Sequence, residues 1–347
     1  MNKGIACALL GAALFGASTP IAKLLVGEIG PLMLAGLLYA GSGVGLGSWL
    51  VLRRWIQPVS GRPRLAASDY KWLVGAIVSG GVVGPVLLML ALSLASASTV
   101  SLLLNLEGVF TALLAWFVFQ ENFDRRVMLG MLLIVCGGLV LSWPSAGIST
   151  SLPVLAVAAA CLCWAIDNNL TRKISAGDSV QIAGIKGLVA GTVNLCASAA
   201  LGATRPAVDS VLAAAAIGFF GYGVSLALFV EALRVLGTAR TGAYFATAPF
   251  IGAAMSFALL GEVPDAPFWL AAVLIAAGVA LHLSERHRHP HRHEALAHAH
   301  SHSHDEHHRH EHDFAWDGTE PHSHPHAHVP LSHSHEHYPD IHHRHGH

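Results

Sequence analysis

Of 347 residues, 53% are hydrophobic and 12% charged, about half the charge of an ordinary soluble domain, which carries roughly 25%. So little charge cannot wet a surface, which argues against a soluble globular protein and for a lipid-facing one. A net charge of −1 hides a division: all 24 histidines lie from His282 onward, so a membrane body ends near Ser284 and a polar, histidine-rich tail follows.

The amino terminus has the look of a signal peptide, with Lys3, an apolar stretch and small residues near Ala17. The apolar run continues through Leu25, however, and has a counterpart in the second half, so it reads as a span. A span needs about 20 mostly apolar residues. Ten are expected, at 4–26, 31–52, 70–93, 97–119, 126–143, 152–171, 180–201, 209–230, 238–260 and 266–283. Most links are short, which favours antiparallel neighbours in a compact bundle; 53–69 and 202–208 are longer.

Basic residues fall on alternate links. Lys3, the Arg53–Lys71 group, Arg125 and Arg126, Arg172 and Lys173, Arg234 and Arg240, and the tail arginines share one side, against Arg205 alone on the other. By the positive-inside bias, both termini are expected in the cytoplasm and the chain in the inner (plasma) membrane. Ser96–Glu121 is echoed by Gly237–Glu262: small residues, a long apolar run, a closing glutamate, then a further run with Gly137 matching Gly278. Phe15 and Lys23 likewise match Trp164 and Arg172. The fold class expected is therefore an all-α membrane protein of two five-helix repeats, 1–143 and 150–283, with a disordered cytoplasmic tail at 284–347. Five spans is an odd number, so the second repeat must sit inverted.

The abundant glycines read as close helix packing in lipid. Pro20, Pro85 and Pro249 lie inside spans, and Pro20 and Pro249 mark bends or breaks. The five cysteines fall in apolar runs and read as buried small side chains. No phosphate-cradling glycine loop and no body histidine appear, so an enzyme is not expected.

The ten-span layout in two inverted halves resembles the drug/metabolite transporter superfamily, EamA type. LFGASTPIAKLL, NLEGVFTALLAWFVFQENF, CWAIDNNLTRK and TAPFIGAAMSFALLGE are similar to that family's first, fourth, sixth and ninth spans. Two departures stand out: no arginine near Tyr39, and Glu107-Gly108 where the fourth span usually has a proline. The resemblance implies proton- or exchange-coupled movement of small organic solutes, often outward.

A charge at the bilayer centre costs about 2.5–3.5 kcal/mol on insertion scales, so each one needs a purpose or a partner. Glu107 lies near mid-span with Asn105 just before it, and reads as a coupling site for a proton or cation; a glutamate hydrogen-bonded to a neighbouring helix is the alternative. Asp167, Asn168 and Asn169 sit late in span 6. Lys186 enters span 7 from the same side at similar depth, so Asp167 and Lys186 are expected to pair, as a gate or as a static pin between helices. Glu231 and Arg234 read as an interfacial pair, and Tyr244 as a cavity residue.

The tail carries His298, His300, His302, His304, His307, His308, His310, His312, His322, His324, His326, His328, His333, His335, His337, His342, His343, His345 and His347. Many imidazoles on a polar chain suit zinc, nickel, copper or cobalt, with binding weakening below about pH 6.5. No cofactor is expected to be required. The partners expected are the lipid bilayer, a small-molecule solute and transition-metal ions, with a homodimer compatible and no nucleic acid.

Overall fold

The computed structural model describes residues 3–56, 67–119, 125–142, 151–174, 177–236, 238–283, 288–293, 296–302, 322–328 and 331–336. Span 1 is Lys3–Leu25, span 2 Pro31–Ile56 and span 3 Tyr70–Leu94, whose middle turn, Ile77–Val83, is wound as a π-helix. Span 4 is two helices, Ala97–Leu103 and Leu106–Phe119; span 5 is Arg125–Ser142. Span 6 is Ser151–Arg172, span 7 Ser179–Ala200 and span 8 Val208–Leu236, with a second π turn at Gly218–Val224. Span 9 is again two helices, Thr238–Phe245 and Ala248–Leu260, and span 10 is Ala266–Leu283. Eight of these are long and apolar enough to cross a bilayer unaided.

Lipid exposure is visible within a single helix. In span 5, Met131, Ile134 and Gly138 are buried, while Leu132, Val135 and Leu139, equally apolar, are exposed. A helix apolar on all sides yet exposed on one needs a hydrocarbon solvent there.

The two halves mirror one another in their contacts. A Cβ placed on Gly137 would fall 2.6 Å from Ile275 and 3.0 Å from Ala271 O; one on Gly278 would fall 2.8 Å from Ile134 and 2.6 Å from Gly130 O. Spans 5 and 10 therefore cross antiparallel through equivalent residues, as inverted repeats require. Spans 2 and 7 do the same, Gly43 against Gly187 and Leu188, Gly191 against Tyr39 and Ala40. Without a hydrophobic force between helices in lipid, such backbone approach carries the association. Gly278→Leu should therefore lower the folded, monodisperse yield on gel filtration, the overpacking costing about 1–3 kcal/mol, while Gly47→Ala, with nothing nearer than Leu188 at 3.9 Å, should not.

The break in span 4 comes without a proline, whereas that in span 9 falls where Pro249 was expected to mark one. In span 4 the chain tightens: Asn105 N–H donates to Leu102 O, Glu107 to Leu104 O and Gly108 to Asn105 O, at 3.1–3.2 Å. In span 9, Thr247 N–H donates to Tyr244 O and Phe250 to Thr247 O, both 3.2 Å, just ahead of Pro249. Pro20, expected to mark a break, instead sits in a continuous helix. Its ring removes the donor that would reach Gly16 O, and Gly252 of span 9 approaches that carbonyl so closely that a Cβ would be 2.9 Å from it. The missing bond thus lets spans 1 and 9 approach without breaking span 1.

At the end bearing the 94–97 link, Glu262 accepts from Ala97 N–H (2.8 Å) and Ser98 N–H (2.9 Å), and Lys23 donates to Ala95 O (2.9 Å) and Leu92 O. At the other end, Asp178 caps span 7 through Val180 and Gln181 N–H and pairs with Arg53. Burial pushes the Asp178 carboxyl up, but Arg53 and the two N–H groups outweigh this and hold it below the usual carboxylate range. Glu231 pairs with Arg234 as expected, and also with Lys3.

The tail strands belong to a separate unit. Within it, four segments pair: β1 (Arg288–His293) with β4 (Leu331–Glu336), and β2 (Leu296–His302) with β3 (His322–His328), both antiparallel. The alternating His-x-His pattern has the period of a strand, and its register sets His298 opposite His326, His300 opposite His324 and His302 opposite His322. Two-stranded ladders are marginal alone, and this composition cannot build a core. His304–His312 and His337–His347 lie outside the described residues.

Candidate functional site

The site is assembled where broken span 4 meets span 6. The break starts a new helix at Leu106, placing Glu107 in its first turn, where the helix dipole favours a carboxylate. Glu107 Oε1 accepts from Asn168 Nδ2 at 2.6 Å. Among the described residues no lysine, arginine or histidine lies within ion-pair distance of Glu107.

Beside Asn168 in the same helix, Asp167 is fully engaged. Lys186 Nζ donates to its Oδ1 and Oδ2 at 2.5 and 2.7 Å, and Thr171 Oγ1 donates to Oδ1 at 2.8 Å. Lys186 also reaches Thr171 Oγ1 at 3.3 Å and is 1% exposed. The pair expected from matching depth in spans 6 and 7 is therefore formed. Both charges are buried and spend their hydrogen bonds on each other and on Thr171.

The π turn of span 3 stands behind the site and holds two of its rings. Gly80 O accepts from both Tyr39 Oη (2.8 Å) and Trp164 Nε1 (2.9 Å). A Cβ on Gly80 would overlap the Asp167 carboxylate, so only glycine lets span 3 pass there. Single π turns of this kind are found at functional sites.

Glu107, Asp167 and Asn168 line a cavity together with Ser225 and aromatic rings from spans 1, 2, 6, 8 and 9. The space open to the centre of a water molecule is about 60 Å³; one water needs roughly 10–15 Å³, so a few waters fit.

The other sequence candidates are not gathered here. Asn105 is buried at the break, its amide donating to Leu102 O (3.0 Å). Asn169 turns to Ala165 O (2.9 Å) and Thr111 O. Tyr244 packs beside Ala8, Ala232 and Leu236, and it is Phe245 that lines the cavity, because successive helical residues point about 100° apart. Tyr39, Tyr222 and Phe229 also line it; their depth in spans 2 and 8 was the available signal. Among the described residues no group of three or more His, Cys, Asp or Glu side chains is gathered to hold a metal.

A model of the EamA-like transporter family matches residues 2–143 and again residues 151–284. The chain belongs to the EamA-like transporter family. A protein of Methanothermobacter thermautotrophicus described as an uncharacterized transporter is 27% identical over 282 residues, covering 76% of this chain and 81% of that one. A crystal structure of another protein matches with a TM-score of 0.59 at 19% identity, over 80% of this chain and 95% of the other, a likeness of fold alone. In this EamA-like transporter the halves share a scaffold and differ in charge. Counting back from Glu121 and Glu262, Glu107 corresponds to Ala248; and as Gly80 abuts Asp167, so Gly221 abuts Ser18. Both carboxylates of the site thus lie on one side of the pseudo-twofold relation.

Proposed function

We propose that the chain is an inner-membrane secondary transporter, without an enzymatic step, that moves a small metabolite outward in exchange for protons or a second solute. Glu107 is the coupling group: a mid-span carboxylate on the cavity, bonded only to an amide, is free to hold either a proton or a cargo. That single observation carries the reading, because retaining such a group in a bilayer is costly without a task. Rocking of one repeat against the other would break the Asp167–Lys186 pair at the cytoplasmic end. It would likewise break the Lys23 and Glu262 contacts at the outer end, each in turn.

The tail favours a second reading, in which the cargo is a divalent metal or its chelate captured by the histidines. A membrane-anchored metal sensor or store is the reading of another class. Cellular nickel, cobalt, zinc and copper under metal load separate them, compared among the intact chain, a truncation after Ser284, and Glu107→Gln. We expect metal content to rise only with the tail present and to ignore Glu107→Gln, making the tail a sink or regulator. A metal lowered by the intact chain and not by Glu107→Gln would make metal export the function.

A further inference from the structure

The rings around Glu107 form one connected set. Phe15 stands 5.9 Å from Trp164 and 5.8 Å from Tyr222, both edge-on, and 5.7 Å from Phe245. Tyr222 is 5.4 Å from Tyr39, and Phe245 is 4.8 Å from Phe229. All six, drawn from five spans, line the cavity. Aromatic faces carry negative charge density and attract cations, most strongly where water is excluded. The charge balance points the same way. Lys186 is taken up by Asp167 and does not line the cavity, so the net formal charge there is that of Glu107.

We infer that the cavity takes a small monovalent organic cation, an alkylamine in its ammonium form or a quaternary ammonium, seated among these rings with Glu107 as its counter-ion. This rests on the transport reading above and names its substrate class. An anion would meet one unpaired carboxylate and no free cation. A bare divalent ion would find one free carboxylate where hard cations need six or more oxygens.

The test is calorimetric titration of the purified full-length protein in lipid nanodiscs with tetramethylammonium, against tert-butanol as a neutral probe of similar size and pivalate as an anionic one. Tetramethylammonium should bind at least about tenfold tighter than either, about 1.4 kcal/mol. Glu107→Gln should abolish this preference. Phe245→Leu should weaken tetramethylammonium about tenfold, and Phe245→Tyr, which keeps a ring, should bind like the intact chain; melting curves confirm that each variant is folded. Equal binding of tert-butanol or pivalate, unchanged binding by folded Glu107→Gln, or no tetramethylammonium binding by the folded intact chain would overturn the proposal. If tetramethylammonium fails while another solute still moves protons through Glu107, the substrate class falls and the transport reading stands. If tetramethylammonium binds as described and moves no protons, the transport reading falls and the cation site stands.

Discussion

Glu107→Gln is expected to abolish gradient-driven transport while leaving the protein folded. Glutamine has the same shape, and its carbonyl can still accept from Asn168 Nδ2, so the contact between spans 4 and 6 survives. What disappears is the one carboxylate on the cavity, among the described residues, that is not committed to a cation. Hydrogen bonds to a charged group are worth about 1.5–3 kcal/mol, so losing one such contact with the cargo costs roughly tenfold to a hundredfold in rate at limiting solute. Without a titratable group the pH gradient also has nothing to act on. The expected pattern is therefore lost accumulation with an unchanged melting temperature. Glu107→Asp, which keeps the charge on a shorter arm, should retain part of the rate and all of its dependence on the gradient.

The second large effect is on folding. Lys186→Met should destabilise the protein by roughly 3–5 kcal/mol, the usual consequence of leaving one member of a buried ion pair without the other. The Asp167 carboxylate would keep only Thr171 among its side-chain donors, and Gly80 allows it no room to turn away. Asp167→Asn with Lys186→Met removes both charges and should recover most of that loss, since neutral replacements of buried pairs are often harmless to stability. Thermal unfolding in detergent measures both. If the pair is a gate, the recovered double variant should still transport poorly, because that end of the bundle has lost the contact that must form and break. If it is a static pin, the double variant should transport normally.

The difference between these two variants reflects what was legible beforehand. Depth along a span can be counted, so the mid-span position of Glu107 was readable, and so was the meeting of Asp167 with Lys186, whose helices are joined by a short link. The small residues of spans 2, 5, 7 and 10 gave the close crossings. The break in span 9 was marked by Pro249; that in span 4 was not readable. Nothing at Leu104-Asn105 forbids helix, and Pro20, the stronger sequence signal, interrupts nothing because its freed carbonyl faces Gly252. Tyr244 and Phe245 are equally aromatic neighbours, and which one faces the cavity depends on the rotation of a short helix set by the break at Ala246-Thr247. The two π turns are likewise tertiary: Gly80 is drawn out to face Asp167, Tyr39 and Trp164, three residues remote from it in sequence. In the tail, the two-residue period is plain in the sequence, but which strand pairs with which is not.

The most direct test of the coupling role is solute-driven proton movement in everted membrane vesicles. A pH gradient is established and followed with an acridine dye while amines, amino acids, sugars and carboxylates are added in turn. With the intact chain, at least one solute class should collapse the gradient, and with Glu107→Gln at equal abundance none should. A collapse of the same size in both would remove Glu107 from the coupling step and contradict the central claim.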